Sequence, residues 1–101
     1  MTITLTPALK AYLKDKKKHI ISVEVATSDR SDFDVAEIFI RLVSDDFADY
    51  LIKKKNYQAR QSEDGYTVLF PPYRLEYETN IVFDLSKRWL LSKIVFSGIK
   101  L

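Results

Sequence analysis

The residues able to do chemistry in this chain form a few clusters, and each has an ordinary structural use beside the chemical one. Asp29, Asp32 and Asp34, followed by Glu37, could offer carboxylate oxygens to a hard cation such as Ca²⁺ or Mg²⁺. Their spacing departs from an EF-hand loop, whose sixth position is glycine where this chain has Asp34. Aspartate and serine also satisfy the backbone of an exposed loop, so a solvated loop is the expectation and metal binding the alternative. His19 is the only histidine. A catalytic imidazole needs a nucleophile or an orienting carboxylate within hydrogen-bond reach, and nothing in the spacing supplies one. His19 is therefore expected to be a polar residue at a strand edge. Carboxylate pairs suited to hydrolysis could be made by Glu76 with Glu78 on one strand face, or by Asp84 with Glu24. Cross-strand pairing with Arg74, Lys87 or Arg88 is the simpler expectation for such carboxylates.

Two lysine runs come next: Lys14 with Lys16, Lys17 and Lys18, then Lys53, Lys54 and Lys55. With Tyr57 and Tyr73 close in sequence they could contact phosphates beside a stacking platform. Both runs also end predicted helices, where cations complement the dipole, and Asp15, Asp45, Asp46 and Asp49 dilute the local field. Nucleic acid is thus not the expected partner. Among the aromatics, Phe70-Pro71-Pro72-Tyr73 makes a rigid corner, with one X–Pro bond a candidate for the cis form. Its aromatics either pack over a sheet end or, with Trp89, present a docking surface.

The elements that must position these residues follow from periodicity. Thr2 to Leu5 alternates and predicts a short strand, after which Thr6 caps a helix with Pro7 at its first position. His19 to Ala26 predicts a strand with Ile21, Val23 and Val25 inward and Ser22 and Glu24 outward. Thr27 to Asp34 is a loop by composition, and Ala36 to Val43 is the next strand. Ser44 caps a second helix that carries Asp45 and Asp46 in its first turn and ends at Asn56. Tyr57–Ser62 and Tyr66–Phe70 predict a hairpin about Asp64-Gly65. Asn80–Leu85 and Lys93–Phe96 follow, joined by the Trp89-Leu90-Leu91 turn, and Gly98 to Leu101 extends the last strand. The expected fold is a single α+β domain over residues 1–101, with a mixed or antiparallel sheet of about six or seven short strands and one or two helices.

Composition narrows the chemistry further. The 101 residues contain no cysteine, which excludes disulfides, thiolate metal sites, cysteine-held iron–sulfur clusters and a cysteine nucleophile. Two glycines leave no room for a glycine-rich phosphate loop. Sixteen basic against fourteen acidic residues give a net charge of +2, below the excess of dedicated nucleic-acid domains. The opening Met1-Thr2-Ile3-Thr4-Leu5-Thr6-Pro7 lacks the basic and apolar regions of a secretory leader, and no apolar run spans a bilayer. A cytoplasmic location, no membrane partner, no cofactor and no enzymatic activity are the resulting expectations.

Ile3-Thr4-Leu5-Thr6-Pro7-Ala8-Leu9-Lys10 resembles the opening of HesB-like domains, the A-type iron–sulfur carrier family. The likeness is greatest to small bacterial HesB-like proteins with a cysteine–cysteine or cysteine–selenocysteine motif. Ile20-Ile21-Ser22-Val23-Glu24-Val25 is similar to the strand that leads into their redox loop. Ile81-Val82-Phe83-Asp84-Leu85 and Gly98-Ile99-Lys100-Leu101 are similar to their closing stretch, with the Asp45–Lys55 helix as an insertion. The resemblance implies a HesB-like fold. Where those relatives carry thiols this chain has Ala26, Thr27, Ser28 and Asp29, so the resemblance implies a fold without thiolate cluster chemistry. The expectation is a non-enzymatic protein acting through protein contacts or self-association, by a strand edge or by Phe70, Tyr73 and Trp89. The alternatives are a nucleic-acid module built on Lys16, Lys17, Lys18, Lys53, Lys54 and Lys55, and a metal-binding or hydrolytic protein built on the acidic loop.

Overall fold

The local signals set the helices. In the computed structural model, which describes residues 1–30 and 33–101 and the side chains of all of these but 28–30 and 33–35, Thr6 Oγ1 accepts the Leu9 N–H at 3.4 Å. Pro7 occupies the first position of α1 (Pro7–Asp15), where its missing N–H costs nothing. Ser44 Oγ accepts the Phe47 N–H at 3.2 Å to start α2 (Asp45–Lys55), and Asn56 ends it in the left-handed conformation. Around these, the described residues form seven strands: β1 (Thr2–Leu5), β2 (Ile20–Arg30), β3 (Phe33–Leu42), β4 (Gln58–Gln61), β5 (Thr67–Phe70), β6 (Glu76–Arg88) and β7 (Leu91–Lys100). The fold is α+β, as the periodicity predicts.

The strands divide between two mixed sheets rather than one. The first has the order β1-β6-β7 and the second β3-β2-β5-β4. β1 runs parallel to β6, with Leu5 opposite Phe83, so the first residues are tied to the last hairpin. β2 lies parallel to β5 and antiparallel to β3, and β4 and β5 form the hairpin expected about Asp64-Gly65. Ile3, Leu5, Ile81, Phe83, Ile94 and Ile99 of the first sheet pack against Ile21, Val23, Val68 and Phe70 of the second, with Leu9 and Leu13 of α1 among them. The opposite face of the second sheet carries Ile20 and Leu69, which α2 covers with Ala48 and Leu51. The layers are therefore sheet, sheet and helix. A fully buried Phe83 or Ile21 contributes about 1.5–3 kcal/mol by leaving water.

Three boundaries differ from the sequence expectation. The polar stretch after Ala26 continues the β2–β3 ladder to Arg30 opposite Phe33 instead of looping out. Backbone pairing across a hairpin needs no apolar side chain, so polar composition does not end a strand there. β6 and β7 are also longer than Asn80–Leu85 and Lys93–Phe96. Their register shifts between Tyr77 and Val82, where Gly98 sits at φ +90° with room for no side chain: a Cβ there would lie 2.5 Å from the Asn80 carbonyl oxygen. The X–Pro bonds of the Phe70–Tyr73 corner are trans.

Candidate functional site

Among the described residues, one buried carboxylate with several charged or polar partners stands out, and it lies on the face of β2 that the sequence assigns to solvent. The two-residue period of a strand puts Ser22 and Glu24 on one side, away from Val23. That side is under α2, not exposed: Ser22 and Glu24 are both buried. β3 brings Arg41 directly opposite Ser22, and the chain leaving α2 through the left-handed Asn56 delivers Tyr57. Glu24 Oε1 accepts from Ser22 Oγ at 2.8 Å and from Arg41 Nη2 at 2.9 Å. Its other oxygen, Oε2, accepts from Tyr57 OH at 2.5 Å. The guanidinium carbon of Arg41 in turn lies 4.7 Å from the centre of the Phe47 ring on α2.

This arrangement sets a cation beside the carboxylate and gives each of its oxygens at least one donor. Burial first, and then the hydrogen bond to Glu24 and the carboxylate's charge, push the Tyr57 hydroxyl up to about 12, while Arg41 pulls it slightly back. A phenol so held stays protonated across the neutral range and gives up its proton poorly. With each oxygen of Glu24 already engaged by donors of this chain, the cluster pins β2, β3 and the exit of α2 together.

The other predicted sites fall elsewhere. His19 gains the orienting carboxylate that its sequence context lacks: its Nε2 is 3.1 Å from Asp45 Oδ1. Both side chains are largely in water, at the edge of an open cleft of about 300 Å³ lined by Lys17, Lys18, Val43, Ser44 and Asp46 as well. The hydroxyl lining that cleft, that of Ser44, is committed as the cap of α2. Lys16 lies 5.6 Å from the Tyr12 ring centre, and Lys55 lies 6.0 Å from that of Tyr50. Lys17 and Lys18 sit at the N-terminal end of α2 and Lys53, Lys54 and Lys55 at its C-terminal end. A helix of that length separates them by about 16 Å, so the two runs make no single basic patch.

Asp84 and Glu24 do not form a pair, because Glu24 lies on the α2 side of its sheet, away from the sheet that carries Asp84. Asp84 Oδ1 instead accepts from Thr6 Oγ1 at 2.6 Å and from the Leu85 N–H at 2.7 Å. Those two hydrogen bonds hold its carboxyl below the usual carboxylate range. Glu76 and Glu78 are exposed on β6. Lys100 on β7, not Arg74, Lys87 or Arg88, is the cation opposite them, with its Nζ 3.9 Å from Glu78 Oε1. The Asp29, Asp32 and Asp34 side chains lie outside the described residues, while Glu37 is exposed opposite Ala26. Among the described residues no three His, Asp or Glu side chains gather as a metal site would require.

Phe70 is not a surface residue. It is buried at the end of β5, edge-on to Tyr77 with ring centres 5.2 Å apart. Tyr73 and Tyr77 remain partly exposed over a groove of about 360 Å³, which Asn56, Gln58 and Arg60 also line along the β4 edge. Trp89 is entirely exposed in the β6–β7 turn. It lies at the far end of β6 from Tyr77, about 40 Å along an extended strand, so the aromatic candidates divide between two separate surfaces. No helix among the described residues is long and apolar enough to cross a membrane. No protein-family model matches this chain, and no curated protein or solved structure does.

Proposed function

We propose that this chain is a non-enzymatic cytoplasmic interaction module, a cysteine-less HesB-like domain whose docking surface is the groove beside the Phe70–Tyr73 corner. The observation that carries the reading is the coincidence of two features there. Tyr73 and Tyr77 present aromatic faces over the groove, and β4 beside it is an edge strand with all four side chains exposed. Tyrosines anchor interfaces well because they bury a large rigid area at low entropic cost. An open edge adds main-chain donors and acceptors to which a further strand can pair. The engagement of both Glu24 oxygens by donors of this chain supports a non-catalytic role, and the separation of the two lysine runs weighs against nucleic acid.

Self-association is the direct form of this activity. Sedimentation velocity should show a discrete dimer whose dissociation constant rises at least tenfold on Tyr73→Ala, the loss of about 1.4 kcal/mol expected of a moderate interface anchor. A strict monomer up to about 0.1 mM, with no binder whose affinity depends on Tyr73, removes the reading, since an interface of ordinary size would be occupied there.

A further inference from the structure

We propose that the tip of the β6–β7 hairpin docks on the surface of an anionic lipid bilayer, with Trp89, Leu90 and Leu91 entering the interface and Lys87, Arg88 and Lys93 meeting the phosphates. This surface is separate from the groove proposed above and does not depend on it. It departs from the expectation of no membrane partner, which rests on the lack of a spanning segment.

Three consecutive large apolar side chains project from this tip, 100, 101 and 77% exposed in order. They are held there by the ladder itself. Leu85 and Ile94 are the last pair that reaches the core, and pairing continues outward through Ser86 with Lys93, Lys87 with Ser92 and Arg88 with Leu91. Trp89 and Leu90 thus stand in water beyond the last core pair, with Leu91 next to them on the wall of a shallow groove.

The charges that the hairpin itself carries near the tip have one sign. Lys87, Arg88 and Lys93 flank the tip, and residues 85–101 contain no aspartate or glutamate. On one face of the hairpin Arg88 and Lys93, with Ser86, Leu91 and Val95, line a groove of about 400 Å³ just behind the tip. An apolar point backed by a cationic collar matches the layering of an anionic membrane, where hydrocarbon lies beneath phosphate. Tryptophan favours that boundary, and stable attachment of a peripheral element needs both signals together.

Area decides against a protein partner centred on the tip. Burying all three side chains removes at most about 500 Å², short of the roughly 800 Å² per partner of a stable interface. A bilayer deforms around a convex wedge and needs no such footprint. Leu90 and Leu91 offer no face on which a base could stack, which disfavours a single-stranded nucleic acid.

Trp89 is the only tryptophan, so its fluorescence reports the tip alone. With the full chain, vesicles of phosphatidylcholine containing phosphatidylglycerol should shift its emission to the blue. Brominated acyl chains in those vesicles should quench it, and pure phosphatidylcholine should do neither. Arg88→Glu with Lys93→Glu keeps the reporter and should weaken binding by at least 25-fold, at about fivefold for each cation lost. Leu90→Ser with Leu91→Ser should reduce co-sedimentation at least tenfold while leaving the circular dichroism unchanged, since neither side chain belongs to the core. Tyr73→Ala should bind as the unaltered chain does. The proposal is overturned if anionic vesicles leave the emission unmoved, if zwitterionic vesicles bind equally, or if both paired variants still sediment. A blue shift with oligo(dT) but none with vesicles would likewise overturn it.

Discussion

Replacing Tyr57 by phenylalanine tests whether the Glu24 cluster is a structural pin. The substitution removes one hydroxyl and leaves Glu24 with Ser22 and Arg41, so the carboxylate keeps two of its three donors. Hydrogen bonds to charged groups contribute about 1.5–3 kcal/mol. Because Tyr57 is only half-buried and Glu24 stays partnered, a loss of about 1–2 kcal/mol near pH 8 is expected. The pH dependence is the sharper part. The Tyr57 hydroxyl titrates near 10.0 in the unfolded chain and about 12 in the folded one. A group raised on folding gives its full stabilisation below its unfolded value and loses it as pH rises towards the folded one. At pH 11 the unfolded state would gain about 1.4 kcal/mol from ionisation, which screening at the exposed ring edge lowers to about 1 kcal/mol. The phenylalanine of the variant has no such proton to lose. Urea unfolding of both proteins at pH 8, 9, 10 and 11 should therefore give a difference that is constant to about pH 9.5 and then narrows by about 1 kcal/mol. A difference that stays flat through pH 11 would refute the coupling between Tyr57 and the buried carboxylate.

Two further outcomes follow from the backbone. Gly98→Ala should destabilise the fold by at least about 2 kcal/mol in urea unfolding, because the new Cβ would lie 2.5 Å from the Asn80 carbonyl oxygen and the backbone is at φ +90°. Trp89→Asn should raise the melting temperature by a few degrees or leave it unchanged, since asparagine accepts the left-handed φ of +59° better than tryptophan, while vesicle binding falls at least tenfold.

Much of the fold is legible where the physics is local. Thr6 with Pro7, Ser44 and Asn56 each satisfy a helix end within a few residues, and Asp64-Gly65 closes a turn in the same way. The division into two sheets is not local. It rests on β1 finding β6 and β2 finding β5 in parallel, pairings between distant segments that no window of sequence encodes. The Glu24 site fails for a related reason. Alternation along β2 correctly separates Ser22 and Glu24 from Val23 and Val25, but it cannot say that α2 lies over the polar side. One signal is nonetheless there. Continuing the hairpin ladder through the polar stretch, with Arg30 opposite Phe33, carries by simple counting to Ser22 opposite Arg41 and puts a guanidinium beside the buried carboxylate. The composition of Thr27 to Asp34 conceals that register.

The Trp89-Leu90-Leu91 turn, by contrast, falls where the sequence places it, between the last two strands. Stability alone gives no reason for its residue types. A hairpin turn is made most cheaply by asparagine and glycine, which accept positive φ. This chain instead puts tryptophan at φ +59° and follows it with two leucines that reach no part of the core. Hydrophobic residues on a surface are common singly, but three in succession at the end of a ladder prolonged past its last core pair are not explained by packing. The inner cluster around Glu24 has the opposite character, since its buried oxygens and hydroxyls all find partners within the chain. Where the interior is self-satisfied and the periphery leaves apolar groups in water, the two surfaces proposed for another molecule lie apart: the Tyr73 groove, and the hairpin tip at the far end of β6.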